Sequence, residues 1–421
     1  MRRLIPILAL SVLAACGQRP AQGAATNGQP PAPEETRPPN AKGQHPAFPG
    51  QTRAPALTTA TRFQVTTVAR GLDHPWSLVF LPDGRMLVSE RVGRLRLARP
   101  GGALSPPLGG LPKVATGQQA GLFGLALDPG FGTNRLVYFA YEEPRAGGRS
   151  GLSVARGKLG GTAAAPALQA VQVIFRAEPA MASKANLGGR IVFGPDGTLF
   201  VGVGDHFVPQ GQADAQKLDN DLGKVVRIDR DGSAPKDNPF VGKAGARPEI
   251  WSIGHRNIES AAINPWTHQL WTVEHGPRGG DEINIPRAGK NYGWPVISYG
   301  EDYSGEAVGA GITAKPGLEQ PVYYWDPVIA TSGLAFYWGD LFPAWKNSAF
   351  VGGLRGRLVT RLTLSGNKVV AEEPLLTDLH DRIRDVRVGP DGAVYVLTDS
   401  GNAVVMDNTP ATAKLLKLTP Q

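Results

Sequence analysis

A turn-and-strand unit recurs six times between residues 61 and 421, and it limits the folds open to this chain more than any other feature. Each copy has an apolar residue, a turn built on Pro-Asp-Gly or a related triplet, and an alternating apolar strand. Proline and glycine set the torsions of such turns, while β-branched and aromatic residues fill the strands. The copies span residues 80–88, 127–139, 193–201, 263–273, 341–351 and 388–396.

Hairpins repeated at periods of tens of residues, with no helical periodicity of any length, predict small antiparallel sheets arranged radially. The six copies predict an all-β fold, a six-bladed β-propeller, formed by residues 61–421 as one domain. A pair of large β-sandwiches is the alternative, but a sandwich gives no reason for the same turn to recur six times. The longest insertions lie between the third and fifth copies, and we expect them to hold the chemistry.

The N-terminus has the form of an export signal. It begins MRR, continues with an apolar run over residues 4–15, and reaches Leu-Ala-Ala before Cys16, which resembles a bacterial lipobox. The run is shorter than the roughly 20 residues of a spanning helix. Residues 1–16 therefore predict a lipoprotein-type signal, with cleavage and acylation at Cys16, the only cysteine. We expect a periplasmic protein attached to the membrane by a lipid anchor, and Gly17 favours the outer membrane. Cleaved soluble export is the alternative.

Residues 17–60 are rich in Pro, Gly, Ala, Gln and Thr and contain almost no large apolar residues. Such a segment buries too little surface to offset its ordering entropy, so the composition predicts a disordered tether. The formal charge of +8 is spread along the chain rather than clustered. It indicates an ordinary solvated surface and no nucleic-acid partner.

The segment 274–295, EHGPRGGDEINIPRAGKNYGWP, is poor material for a core strand. Its glycines, together with Pro277, let the backbone turn sharply and present carbonyl oxygens. Asp281 and Glu282 add the hard anionic oxygens that Ca²⁺ selects. The segment therefore predicts a calcium site, and a tight solvated loop between two strands is the alternative.

The run GPRGGDEIN…GKNYGWP, preceded by GHRN at 254–257, resembles the glucose/sorbosone dehydrogenase family of soluble quinoproteins. The resemblance extends from about residue 61 to the C-terminus. It implies the cofactors pyrroloquinoline quinone (PQQ) and Ca²⁺. It also implies oxidation of an aldose sugar, or a related alcohol, to its lactone or carbonyl product. Electrons would pass to a quinone-type acceptor.

PQQ is a planar tricarboxylate, and arginine suits it because its planar fork bonds carboxylates bidentately. The resemblance gives Arg256 the further role of stabilising negative charge as the quinone is reduced. Taken alone, the alternating Arg382 and Arg384 would be solubility devices on an edge strand. The cofactor-binding positions implied are Gln119 in QAGLFG, Arg256 and Asn257 in GHRN, His275, Arg355 in GGLRG, and Arg382 and Arg384 in DRIRDV.

The resemblance also implies two calcium sites. Gly276 and Pro277 would give backbone carbonyls to a catalytic Ca²⁺. Glu282 and the Tyr292 carbonyl would serve a second, structural Ca²⁺.

One position departs from the family. The family has a histidine four residues before an arginine, as general base, and here that position in KANLGGR is Asn186. A carboxamide can orient a hydroxyl but cannot accept its proton, and losing general-base catalysis costs about 10²–10⁴-fold. His206 falls at a substrate-facing position of the family and is the candidate for a relocated base. A surface-loop histidine is the alternative. Residues 258–260 also differ, reading Ile-Glu-Ser where relatives have Pro-Gln-Gly.

Three functions compete for this sequence. The first is the PQQ- and calcium-dependent dehydrogenase. The second is a catalytically weak or inactive propeller that binds a sugar or glycan, since the catalytic His is Asn186. The third is a calcium-dependent lactonase, which needs acidic and amide side chains around the ion. Here arginines converge instead, which favours an anionic cofactor.

Overall fold

The computed structural model describes residues 31–399 and 411–421, and in them the chain forms six β-sheets. Helices are short: α1 (Phe131–Asn134), α2 (Pro209–Asp214) and single 3₁₀ turns at Ala146–Gly148, Pro343–Trp345 and Thr377–Leu379. None of the helices in these two described stretches is long and apolar enough to cross a membrane.

Each sheet forms one blade. The first described strand, β1 (Phe63–Leu72), belongs to the last blade. The other strands, in chain order, are β2 (Pro75–Phe80), β3 (Met86–Glu90) and β4 (Arg94–Ala98) in blade 1; β5 (Leu122–Leu127), β6 (Leu136–Pro144), β7 (Ser150–Gly161) and β8 (Pro166–Arg176) in blade 2; β9 (Gly188–Phe193), β10 (Leu199–Val203), β11 (Lys224–Ile228) and β12 (Ile250–Ile253) in blade 3; β13 (Ile258–Ile263), β14 (Leu270–Glu274), β15 (Asp281–Asn284) and β16 (Tyr323–Trp325) in blade 4; β17 (Thr331–Tyr337), β18 (Ser348–Gly353), β19 (Leu358–Ser365) and β20 (Lys368–Leu375) in blade 5; and β21 (Arg382–Val388), β22 (Val394–Asp399) and β23 (Ala413–Pro420) in blade 6.

The six-bladed propeller is confirmed, and the repeated turn has one place in it. In every blade the turn joins the first strand to the second, as at residues 80–86 in blade 1 and 388–394 in blade 6. The first strands β2, β5, β9, β13, β17 and β21 contact one another in sequence around the centre. All six turns therefore lie on one face, and the entries to the first strands lie on the opposite face.

Apolar residues pack mainly between neighbouring blades. Trp76, Phe123 and Ile191, from blades 1, 2 and 3, belong to one buried cluster. Trp271 of blade 4 and Phe336 of blade 5 belong to another, with ring centroids 5.3 Å apart in an edge-to-face contact. Each of these clusters lies between neighbouring blades and holds them together.

A buried arginine links four blades near the centre. Arg190 is 1 % exposed and donates to Ser77 Oγ at 3.1 Å, to the Glu259 carbonyl at 3.1 Å and to Asp385 Oδ1 at 3.3 Å. Its guanidinium also lies 4.2 Å from the ring centroid of Trp76. Burial lowers the pKa of Arg190 to about 10, which leaves it charged at neutral pH. This cation therefore fixes the blades that surround the channel.

Strands from the two ends of the described chain close the ring. β1 pairs antiparallel with β23, from Phe63 opposite Pro420 to Leu72 opposite Ala413. β23 also pairs with β22, so within blade 6 the last strand of the chain lies between β22 and β1.

The prediction of a disordered tether is wrong for residues 31–60, which we call the N-terminal strap. Asp326 accepts the backbone N–H groups of Asn40 at 2.8 Å and Ala41 at 3.0 Å. Arg53 donates to the Asp326 carbonyl at 2.9 Å, and the fully buried Gln51 donates to the Pro321 carbonyl at 3.0 Å. The strap is therefore packed against the end of blade 4.

Further contacts reach blade 5. The strap's Ala54 N–H donates to the Tyr323 hydroxyl, which itself donates to Glu372. Leu57 N–H donates to the Glu372 carbonyl at 2.9 Å. The composition argument considered only apolar burial, whereas polar bonds to buried acceptors hold the strap. The signal at 1–16, Cys16 and residues 17–30 lie outside the described residues, and the predictions made for them stand as predictions.

Candidate functional site

A cavity of about 570 Å³ opens on the face opposite the repeated turns. All six blades contribute to its wall, because residues at the start of the first strands and just after the second strands meet there. Trp76 and Arg91 come from blade 1, and Arg382 comes from blade 6. The structure thus places the site at the mouth of the central channel.

Nine of the residues predicted for the site line this one cavity. They come from segments as far apart in sequence as residues 119 and 384, so only the closed ring brings them together. They are Gln119, Asn186, Arg256, His275, Gly276, Pro277, Arg355, Arg382 and Arg384.

The cavity is strongly cationic. Six arginines line it, against the two carboxylates Glu259 and Asp281. Arg382 donates to the Leu354 carbonyl at 3.3 Å, and its Nε has no hydrogen-bond partner among the described residues. Burial lowers the pKa of Arg382 to about 10, so it remains charged at neutral pH. An anionic ligand would relieve this concentration of positive charge.

Arg384 differs from Arg382, because carboxylates already hold it. Its Nη1 lies 2.7 Å from Glu259 Oε2, and its Nη2 lies 3.4 Å from Asp399 Oδ2. Burial alone would raise the pKa of Glu259, but the charges of His275 and Arg384 hold that pKa below its usual range. Glu259 is therefore an anion paired with Arg384 on the cavity wall.

Asn257 does not line the cavity. It is buried, its Oδ1 accepts the Gly188 N–H at 2.9 Å, and its Nδ2 donates to Glu259 Oε1 at 2.9 Å. The structure corrects its predicted direct contact with the cofactor. Asn257 instead positions the Glu259 carboxylate and the backbone two residues after Asn186.

Asn186 sits on the cavity wall in a fixed orientation. Its Nδ2 donates to Asp205 Oδ1 at 2.9 Å, and its backbone N–H donates to Gln119 Oε1 at 2.7 Å. Asp205 is fully buried, and its Oδ2 accepts the Trp294 Nε1–H at 2.8 Å. The carboxamide is thus held by a buried carboxylate, in the way a catalytic imidazole would be oriented.

The expectation that His206 is a relocated base is wrong. His206 is fully buried, does not line the cavity, and has Nδ1 3.2 Å from the Ser183 carbonyl oxygen. Burial lowers its pKa. The backbone at His206 has φ of 58°, in the left-handed region, and turns the imidazole into the protein.

The loop after β14 brings carbonyl oxygens close together. A Cβ added to Gly276 would lie 2.2 Å from the carbonyl oxygens of both Gly279 and Gly280, so only glycine fits there. Asp281 accepts the Gly276 N–H at 3.0 Å and braces this loop. Gly276 and Pro277 line the cavity on this tightly packed loop.

Glu282 and Tyr292 do not line the main cavity. They border a separate void of about 10 Å³, the size of one water or ion, together with Glu274. Burial, and after it the charge of Glu274, raises the pKa of Glu282 to about 8. Among the residues that the structure describes, no three His, Cys, Asp or Glu side chains form a metal-binding group. A cation there would need backbone carbonyls as well.

Sequence reasoning missed several cavity residues, including Arg91 and Asn40. The repeat held a signal for one of them. Arg91 directly follows the second strand of blade 1, as His275 and Leu354 follow the second strands of blades 4 and 5, and all three line the cavity. Asn40 belongs to the strap, which no sequence pattern connected to the site.

Comparison with known proteins decides the family. The chain matches the family described as Glucose / Sorbosone dehydrogenase over residues 72–407. The chain belongs to the glucose/sorbosone dehydrogenase family. The resemblance drawn from its motifs is thereby confirmed, and the chain is an oxidoreductase of the sugar dehydrogenase class.

Relatives of this glucose/sorbosone dehydrogenase family member cover most of its length. Aldose sugar dehydrogenase YliI of Escherichia coli is 44 % identical over 344 residues, covering 80 % of this chain and 91 % of the relative. The crystal structure of the soluble aldose sugar dehydrogenase from Escherichia coli in the apo-form is 42 % identical. It covers 86 % of this chain and 100 % of that chain, with a TM-score of 0.79. The PQQ-bound form of aldose sugar dehydrogenase from Streptomyces coelicolor is 28 % identical, with the same coverages and a TM-score of 0.69.

Proposed function

We propose that this protein is a PQQ- and calcium-dependent dehydrogenase that oxidises an aldose sugar to its lactone and passes the electrons to a quinone-type acceptor. The observation that carries the proposal is the cavity at the channel mouth, which six arginines line. All six lie in the part of the chain that matches the family. A sugar carries no charge and gives no reason for such a cluster, whereas a tricarboxylate does.

The residues present fit PQQ. A cavity of about 570 Å³ lies within the usual range of small-molecule sites. Arg355 is exposed and Arg382 is unpaired at Nε among the described residues, so both can donate to carboxylates. Arg384 supplies less net charge, because Glu259 already pairs with it. When bound, PQQ supplies the hydride acceptor for the sugar's C1–H bond.

The residues present also fit calcium. Ca²⁺ accepts backbone carbonyls, carboxylates and water as ligands. Gly276 and Pro277 would hold the ion at the cavity wall, on the loop braced by Asp281. Glu282 and Tyr292 border the small void where a second ion would be held. A bound cation would favour the ionised form of Glu282, whose pKa is otherwise raised.

Asn186, Asp205 and Arg256 would act on the substrate side. Asn186 Nδ2 donates to Asp205, which leaves the side-chain oxygen, Asn186 Oδ1, to accept a hydrogen bond from a sugar hydroxyl. The C1 hydroxyl proton then leaves to water, since a carboxamide does not take it. Arg256, held by the His275 carbonyl at 3.0 Å, would stabilise negative charge that develops in the cavity.

A second candidate function is a sugar- or glycan-binding propeller with weak or no turnover. The specific observation in its favour is Asn186 itself, held by Asp205 where a general base would stand. This alternative needs no cofactor, and it places the sugar at the same cavity.

The test is a titration of purified protein with PQQ, with and without Ca²⁺, followed by the absorption spectrum of the cofactor. We expect tight binding that requires the ion and is lost in excess chelator. D-glucose added to the loaded protein should then bleach the oxidised cofactor spectrum. Absence of PQQ binding would refute the proposal. Binding without any reduction by a panel of aldoses would favour the non-catalytic alternative.

A further inference from the structure

Three segments far apart in sequence meet at the mouth of the cavity. Asn40 comes from the strap, Phe207 lies in the segment between β10 and α2, and Tyr303 comes from the insertion between β15 and β16. Asn40 and Tyr303 line the cavity, and Phe207 packs against Tyr303 with ring centroids 5.8 Å apart. Together we call these three residues the rim.

The aromatic part of the rim is open to solvent. Phe207 is 43 % exposed and Tyr303 is 59 % exposed, so neither ring is part of the buried core. The Arg256 guanidinium lies 5.7 Å from the Phe207 ring centroid, which fixes this ring beside the cavity. Exposed, ordered aromatic rings beside a polar cavity offer flat apolar surface to a ligand.

The strap is held so that Asn40 stays at the rim. Asp326 accepts the backbone N–H groups of Asn40 and Ala41, and Arg53 ties the Asp326 carbonyl to that of Arg37. Within the described residues, no hydrogen bond engages the Asn40 carboxamide, so both its donors and its acceptor are available. Because the family match begins at residue 72, this contribution comes from outside the family-matched region.

We infer that Asn40, Phe207 and Tyr303 form the subsite that selects a cyclic sugar, with the N-terminal strap supplying a specificity-determining residue. The apolar C–H face of a pyranose ring packs on the Tyr303 and Phe207 rings, while the Asn40 carboxamide bonds ring hydroxyls that do not react. An open-chain alditol has no flat ring face to present to this surface. The inference rests on the proposed function, because it describes the substrate of the same cavity.

The experiment measures D-glucose and D-sorbitol binding to PQQ-loaded protein by calorimetry, beside steady-state kinetics with a dye acceptor. Asn40→Ala should weaken D-glucose binding and raise KM by about threefold to tenfold, the loss of one hydrogen bond, with kcat unchanged. D-sorbitol binding should not change. Lys42→Ala is the matched control, because Lys42 is exposed on the same strap and does not line the cavity.

Tyr303→Ala provides a second arm that does not depend on the strap. It should weaken D-glucose binding, Tyr303→Phe should retain most of it, and Trp338→Ala, which removes a 57 % exposed aromatic away from the cavity, should have no effect. Equal D-glucose binding in wild type, Asn40→Ala and Tyr303→Ala would overturn the inference. The PQQ titration of each variant separates this result from failure of the proposed function, which would remove cofactor binding in the wild type as well.

Discussion

Replacing Asn186 with histidine is expected to install a general base on the cavity wall. Asn186 has φ of 50°, a conformation that histidine also adopts more readily than most residues. Its Nδ2 lies 2.9 Å from Asp205 Oδ1, so an imidazole there can donate a ring N–H to the same carboxylate. The carboxylate would orient the ring and stabilise its protonated form.

A positioned general base contributes about 10²–10⁴-fold to a rate. We expect Asn186→His to raise kcat/KM for an aldose by about 10- to 10³-fold, less than the full factor because the surrounding residues are not tuned for it. This corresponds to a barrier lower by about 1.4–4 kcal/mol. The assay is turnover of D-glucose by protein reconstituted with PQQ and Ca²⁺, between pH 5 and pH 9. The rate should rise with pH through a histidine-like pKa.

Asn186→Gln is the matched control, because it keeps a carboxamide at the same position. Adding Asp205→Asn to the histidine variant should remove most of the gain, since the ring then loses its orienting partner. If the histidine variant binds PQQ as the wild type does but turns over no faster than the glutamine variant, Asn186 does not occupy the position of a base.

Other residues give further expectations. Arg382→Ala should weaken PQQ binding by about 10- to 100-fold in a spectroscopic titration, because a charge-assisted hydrogen bond is lost. Arg384→Ala should mainly lower the free energy of unfolding, by about 3–5 kcal/mol, because it leaves Glu259 buried without its cation. Burial raises the pKa of Glu142 from 4.5 to about 7, so its protonated form stabilises the fold at low pH and this contribution is lost as pH rises from 4.5 through 7. Glu142→Gln should therefore remove about 3 kcal/mol of the fall in the free energy of unfolding with rising pH, measured by denaturant unfolding at pH 5 and pH 8. The same pH dependence in the wild type and the variant would contradict the assignment. The proposed lipid anchor predicts that Cys16→Ser abolishes acylation and membrane fractionation, and a mature, membrane-bound variant would contradict it.

The repeated turn predicted the architecture because a propeller uses the same local solution six times. Pro82-Asp83-Gly84 and Pro390-Asp391-Gly392 occupy equivalent turns in blades 1 and 6, although more than 300 residues separate them. The residues that form such a turn can be recognised in a sequence, and each turn marks one blade, so the number of blades could be counted. The motif resemblance then located nine cavity residues, because the ring fixes which loops converge.

What the sequence left open depends on contacts between distant segments. Nothing near Asn40 indicates that Asp326 holds it at the cavity. His206 is buried at a residue with a left-handed backbone, and the identity of that residue in the sequence does not reveal this conformation. Glu259 was noticed as a departure from the family, but its pairing with Arg384 depends on the closed ring, which brings β13 of blade 4 and β21 of blade 6 to the same cavity.

The pairing of β1 with β23 completes the ring that carries the cavity. Arg91 belongs to blade 1 and Arg384 to blade 6, at opposite ends of the folded sequence. A ligand bound by both residues therefore meets a complete site only after β23 has paired with β1. Contacts of such long sequence separation form slowly. A ligand that binds only the closed ring then stabilises closure by mass action, about 2.7 kcal/mol at a hundred times its Kd. The bound ligand would thus stabilise the pairing of β1 with β23.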